Sequence, residues 1–159
     1  MDELRAQRGL SWRQAVAEIN AASDPKHFSR NHPIDVATVK RMKERGDCGC
    51  HFALGYLAWV DRTPESFLIG AAKSVPEEPL PAVGPDRRLR WDIPALADAV
   101  DQHRTELQLT RRERADLMGC SLSQVNLRAI RYGTGMSLAM RLAQWLGRPA
   151  ASFVIAATW

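Results

Sequence analysis

Residues 59–71 read Trp59-Val60-Asp61-Arg62-Thr63-Pro64-Glu65-Ser66-Phe67-Leu68-Ile69-Gly70-Ala71, and residues 145–157 read Trp145-Leu146-Gly147-Arg148-Pro149-Ala150-Ala151-Ser152-Phe153-Val154-Ile155-Ala156-Ala157. Both follow W-x-x-R-x-x-x-S-F-x-I-x-A, at an offset of 86. Upstream, Leu10-Ser11-Trp12-Arg13-Gln14 matches Leu109-Thr110-Arg111-Arg112-Glu113 at an offset of 99. Two matches in the same order describe a tandem duplication of one unit, with about 13 extra residues inside the first copy. Trp59, Trp145, Phe67 and Phe153 recur at matched places and are expected in the core.

The period of the apolar residues is helical, and no strand alternation stands out. In the second copy Asp92 can cap a helix carrying Leu96, Ala99, Val100, His103 and Leu107 on one face. Thr110 and Glu113 form a capping box, as do Ser121 and Gln124 just beyond Gly119. A third helix is expected to run from Ser121 to about Ile130, a fourth from Ser137, and a last turn or short helix over 150–156. In the first copy the expected helices are a stub at 4–8, one from Ser11 to Ile19, one over 34–44, one over 50–60, and a fifth capped at Thr63-Pro64. Asn20 to Pro33 stands where the second copy has only Gly119-Cys120. Pro76, Pro79, Pro81 and Pro85 make residues 73–91 an extended linker. The division is therefore 1–72, a helix-turn-helix unit with a lengthened turn; 73–91, the linker; and 92–159, the second unit. The fold class is all-α, two tandem five-helix domains.

At 45% apolar and 25% charged residues the composition is that of an ordinary globular protein. No apolar run is long enough to span a membrane, and the basic-then-apolar start of a signal peptide is missing, so a cytoplasmic location is expected. An odd count of three cysteines argues against a disulfide framework. Cys48-Gly49-Cys50-His51 lacks a second close pair for a tetrahedral metal site, so no metal and no cofactor are expected. No catalytic constellation can be assembled, and an enzyme is not expected.

The stretch Leu109-Thr110-Arg111-Arg112-Glu113-Arg114-Ala115-Asp116-Leu117-Met118-Gly119-Cys120-Ser121-Leu122-Ser123-Gln124-Val125, followed by Leu138-Ala-Met-Arg-Leu-Ala-Gln-Trp-Leu-Gly147, resembles the lambda-repressor-like helix-turn-helix domain of the XRE regulators of bacteria and phages. The first copy resembles it through its flanks alone. The resemblance implies a third helix in the major groove of double-stranded DNA, with its N-terminal residues on base edges. On this chain those readers are Ser123, Gln124, Asn126 and Arg128. Gln124 has a second reading as the capping partner of Ser121. Phosphate contacts fall to Thr110, Arg111, Arg112 and Arg131, with Lys40, Arg41 and Lys43 in the first copy. Residues 111–131 hold five arginines against Glu113 and Asp116, and residues 26–45 hold six cations against Asp35 and Glu44. Arg87, Arg88 and Arg90 read either as a solvated linker end or as a minor-groove arm.

The function expected is a sequence-specific transcription regulator on the nucleoid. The alternative is a protein-interaction module that kept the fold without reading DNA. No small-molecule ligand is indicated. The apolar tail, Ser152 to Trp159, is expected to pack the two copies together through their fifth helices, within one chain or across a homodimer.

Overall fold

The computed structural model describes residues 2–21, 34–46, 48–68, 75–84, 86–126 and 135–158. In chain order these form α1 (Asp2–Gln7), α2 (Trp12–Ala21), α3 (Val36–Arg45), α4 (Cys50–Val60), a 3-10 turn (Pro64–Phe67), β1 (Arg87–Trp91), α5 (Ile93–Glu106), α6 (Arg111–Leu117), α7 (Met136–Trp145), a second 3-10 turn (Ala150–Phe153) and β2 (Val154–Thr158).

Local chemistry sets most of the boundaries. Asp92 caps α5 by accepting from Ala95 N, Asp35 caps α3 by accepting from Thr38 N, and Thr63 caps the first 3-10 turn by accepting from Ser66 N. Each satisfies a first-turn N–H that has no partner inside its own helix. Gly46 and Gly119 take positive φ just past α3 and α6, where a side chain would strain the backbone. Helix α7 begins earlier than its sequence suggests. Its cap is Gly135 rather than Ser137, because Gly135 is held in an antiparallel bridge with Gly49.

The all-α expectation is overturned. β1 and β2 form a two-stranded antiparallel sheet, with Leu89 opposite Ala156 and Trp91 opposite Val154. The last helix expected over 150–156 stops at Phe153. From there the chain runs extended, with Val154 at φ −112° and ψ 128°. β-branched Val154 and Ile155 suit a pleated surface, and Leu89, Trp91 and Val154 turn inward to the core. The linker is therefore shorter than expected, since Arg87–Trp91 is a strand, and Val75 and Leu80 also pack inward.

Two separate five-helix domains are overturned as well, and 159 residues is a short chain for them. One core cluster joins Cys50, Leu54 and Leu57 of α4 to Leu89, Leu96, Val100, Leu142 and Phe153 of the second half. A smaller cluster of Val16, Ile19, Ile34, Val39 and Tyr56 lies under α2 and α3. Units of this size bury little apolar surface alone, and sharing one core removes more of it from water.

The halves meet through matched residues. Gly49 and Gly135, which bridge each other, stand at the same offset of 86 as the two sequence motifs. Met136 N donates to Cys48 O at 3.0 Å beside them, α4 packs on α7, and the two 3-10 turns touch. Contact of each residue with its own counterpart is what a local twofold relation produces. The matched phenylalanines nevertheless differ: Phe153 is 2% exposed, under the guanidinium of Arg148, whereas Phe67 is 49% exposed. Phe153 continues into β2 and is covered by the sheet, while Phe67 stands at the mouth of a cleft.

No helix among the described residues is long and apolar enough to cross a membrane.

Candidate nucleic-acid interface

Helix α6 opens with the expected capping box. Glu113 N donates to Thr110 Oγ1 at 3.2 Å, and Thr110 N donates to Glu113 Oε2 at 2.8 Å. The hydroxyl of Thr110 holds the Glu113 carboxyl below its ordinary value, and the Thr110 N–H adds to the effect. Arg111 and Arg112 follow at once, both exposed. Cations in the first turn oppose the helix dipole, which favours anions there. Their placement is locally unfavourable until a negative partner arrives.

Beyond Gly119 the second box is also made. Ser121 N donates to Gln124 Oε1 at 2.9 Å, Gln124 N donates to Ser121 Oγ at 3.3 Å, and the hydroxyls of Ser121 and Ser123 lie 2.9 Å apart. Residues 122–125 form hydrogen-bonded turns, and the end of the helix expected from Ser121 to about Ile130 lies outside the described residues. Residues 127–130, Arg128, Arg131 and the cations Lys26 and Arg30 lie outside the described residues. Ser123, Gln124 and Asn126 are exposed on this turn. The capping role of Gln124 is therefore present, and its Oε1 is turned to the backbone.

One residue that charge counting misses ties the two segments together. Arg114 is 1% exposed, and its guanidinium donates to the carbonyl of Val125 across the turn. Burial pulls its pKa down, helped by the charges of Arg104 and Arg111. Counted in sequence as one of five cations, it acts instead as the strut beneath the turn. The sequence signal available was its place four residues before Met118, on the inward side of α6. Arg104 Nη1 adds a bond of 2.9 Å to Leu109 O, bracing the entry to α6.

The result is a hollow walled by Thr110, Arg111, Arg112, Leu122 and Asn126, with Arg114 and Val125 at its floor. It brings Thr110, Arg111, Arg112 and Asn126 into one place. The first-copy cations stand on α3, which packs on α2. Lys40 and Arg41 are exposed there, Arg41 Nη2 donates to Thr38 Oγ1 at 3.0 Å, and the Lys43 ammonium pairs with Asp2. The ends of the first copy's long turn are clamped, because Asn20 Nδ2 donates to Ile34 O at 2.8 Å and Ile34 N donates to Asn20 Oδ1 at 2.9 Å. Arg88 and Arg90 lie on β1 with Arg87, so the linker-end and minor-groove-arm readings both give way to a strand. Cys50 is a buried core residue at the start of α4.

No protein-family model, curated protein or solved structure matches the chain.

Proposed function

We propose that this chain is a sequence-specific DNA-binding regulator of the XRE type, acting in the cytoplasm on the nucleoid, and that its second half carries the contact. The observation behind this reading is the hollow at Thr110–Asn126. There the exposed guanidinium groups of Arg111 and Arg112 share one surface with Asn126, and Ser123 and Gln124 stand exposed on the same turn. Arginine pairs phosphates with charge-assisted bonds, while Asn and Gln amides match the N6 and N7 edge of adenine. The chain acts as a binding protein, and duplex DNA supplies the anion that Arg111 and Arg112 lack among the described residues.

A second reading has an observation of its own. Leu122 lines the same hollow and is 52% exposed, and Leu117, at the end of α6, is 65% exposed. Exposed leucines beside a shallow hollow suit a protein partner.

Selection of bound sequences from a random DNA pool, repeated across a salt series, separates the two. An enriched motif whose affinity falls steeply with salt supports the DNA reading, because bound phosphates release counterions. No enrichment, or affinity indifferent to salt, favours the protein partner.

A further inference from the structure

A cleft of about 650 Å³ opens between α3, α4 and α7, away from the hollow at Thr110. Pockets of this size hold small organic molecules. Its described walls are largely apolar and include Trp12, Met42, Leu57, Met136 and Met140. Flexible thioether side chains such as these methionines adapt to varied apolar shapes. Tyr56 also lines it, is 4% exposed, and its hydroxyl has no hydrogen-bond partner among the described residues. A buried polar group without a partner stands out against the usual pairing of such groups. Burial, with the nearby charges of Cys48 and Asp35 adding to it, pushes that hydroxyl up to about 12, so it stays protonated at neutral pH and can donate.

Two cations sit on the rim. Lys43 is shared with Asp2. Arg141, on α7, reaches the Gly119 carbonyl only at 3.4 Å and Cys120 Sγ only at 3.7 Å. The cleft thus combines apolar walls, a buried donor and a rim with one more positive than negative side chain among Asp2, Lys43 and Arg141. We infer that it binds a small, mainly apolar molecule with one anionic head, of the medium-chain carboxylate class. The chain of such a ligand lies against the methionines, and its carboxylate meets Lys43 and Arg141. This inference stands apart from the DNA reading, because no residue of the hollow at Thr110 lines the cleft.

The test is calorimetric titration of the full chain with decanoate, and with decanol as the uncharged counterpart. Decanoate is expected to bind saturably with one equivalent. Ser137→Trp, at an exposed lining position, fills the cleft and abolishes binding, while circular dichroism reports whether the variant keeps its helices. Should it unfold, Met42→Trp, at a partly exposed lining position, takes its place. Lys43→Ala with Arg141→Ala weakens decanoate by about tenfold and leaves decanol unchanged. The absence of saturable decanoate binding up to about 1 mM overturns the site. So does binding that survives a folded blocking variant. Equal weakening of decanoate and decanol overturns the anionic head.

Discussion

Ala150 donates its backbone N–H to Oε1 of Glu65 at 2.7 Å, a bond between the two copies of the repeat. Glu65 is 3% exposed and stands on the first 3-10 turn, and Ala150 begins the second. The fifth helices of the two copies were expected to pack on each other, either within one chain or across a homodimer. The two 3-10 turns that stand in their place touch each other.

That bond gives the first prediction. Glu65→Ala leaves the Ala150 N–H buried and unpaired, at a cost of about 1–3 kcal/mol. Glu65→Gln keeps an acceptor and costs less. Urea denaturation curves of both variants check the order. An alanine variant as stable as the parent removes the bond from any role in joining the halves.

Arg111 and Arg112 stand exposed before Arg114 in α6 and contact phosphate under the proposed function. Replacing both by alanine should weaken binding to all DNA sequences about equally and lower the salt slope by about one to two units. Binding isotherms at several salt concentrations give the slope. A loss confined to one sequence, with the slope intact, would mean that they read bases instead.

Gln124 has two roles to separate. Its Oε1 caps the turn at Ser121, and under the proposed function its amide reads a base. Gln124→Ala should cost about 1–3 kcal/mol on the preferred site and relax preference at one position. Gln124→Glu keeps the cap acceptor but loses the amide donor, so it should lose selectivity without losing the turn. Retained selectivity in a folded Gln124→Glu protein makes Gln124 a cap alone.

Removing residues 154–159 takes away β2 and uncovers Leu89 and Trp91. Burial of Val154 and the ladder bonds together suggest a loss of about 3 kcal/mol, hence a Tm lower by roughly 10 °C. Mass in solution decides whether the tail also joins two chains, because a dimer held by this strand would fall to monomers. An unchanged melting temperature would falsify the pairing of β1 with β2.

The capping box at α6 sets a pH dependence. The Glu113 carboxyl lies below its ordinary value of 4.5 in the folded chain, so the stability it adds is complete above that value. It is lost as pH falls through the lower folded value. The difference in Tm between the parent and Glu113→Gln should therefore shrink as pH drops from about 7 to about 3. A difference that stays constant across that range contradicts the role given to the carboxylate.

The limits of α4, α5 and α6, the caps at Asp92, Thr110 and Ser121 and the repeat itself were legible in the sequence. Each depends on residues a few places apart, where cap chemistry and the helical period act regardless of the rest of the chain. The local twofold was half legible. The offset of 86 announced matched parts, but not that Gly49 and Gly135 would bridge each other. Only the tertiary structure decided that Arg87–Trp91 pairs with Val154–Thr158, since a strand of five residues acquires its alternation from a partner far along the chain. It also turned Arg114 inward and Phe67 outward, against the charge of one and the apolar ring of the other. Burial belongs to surfaces brought together from distant segments. Two phenylalanines in the same motif part company when one lies under a sheet and the other at the lip of a cleft.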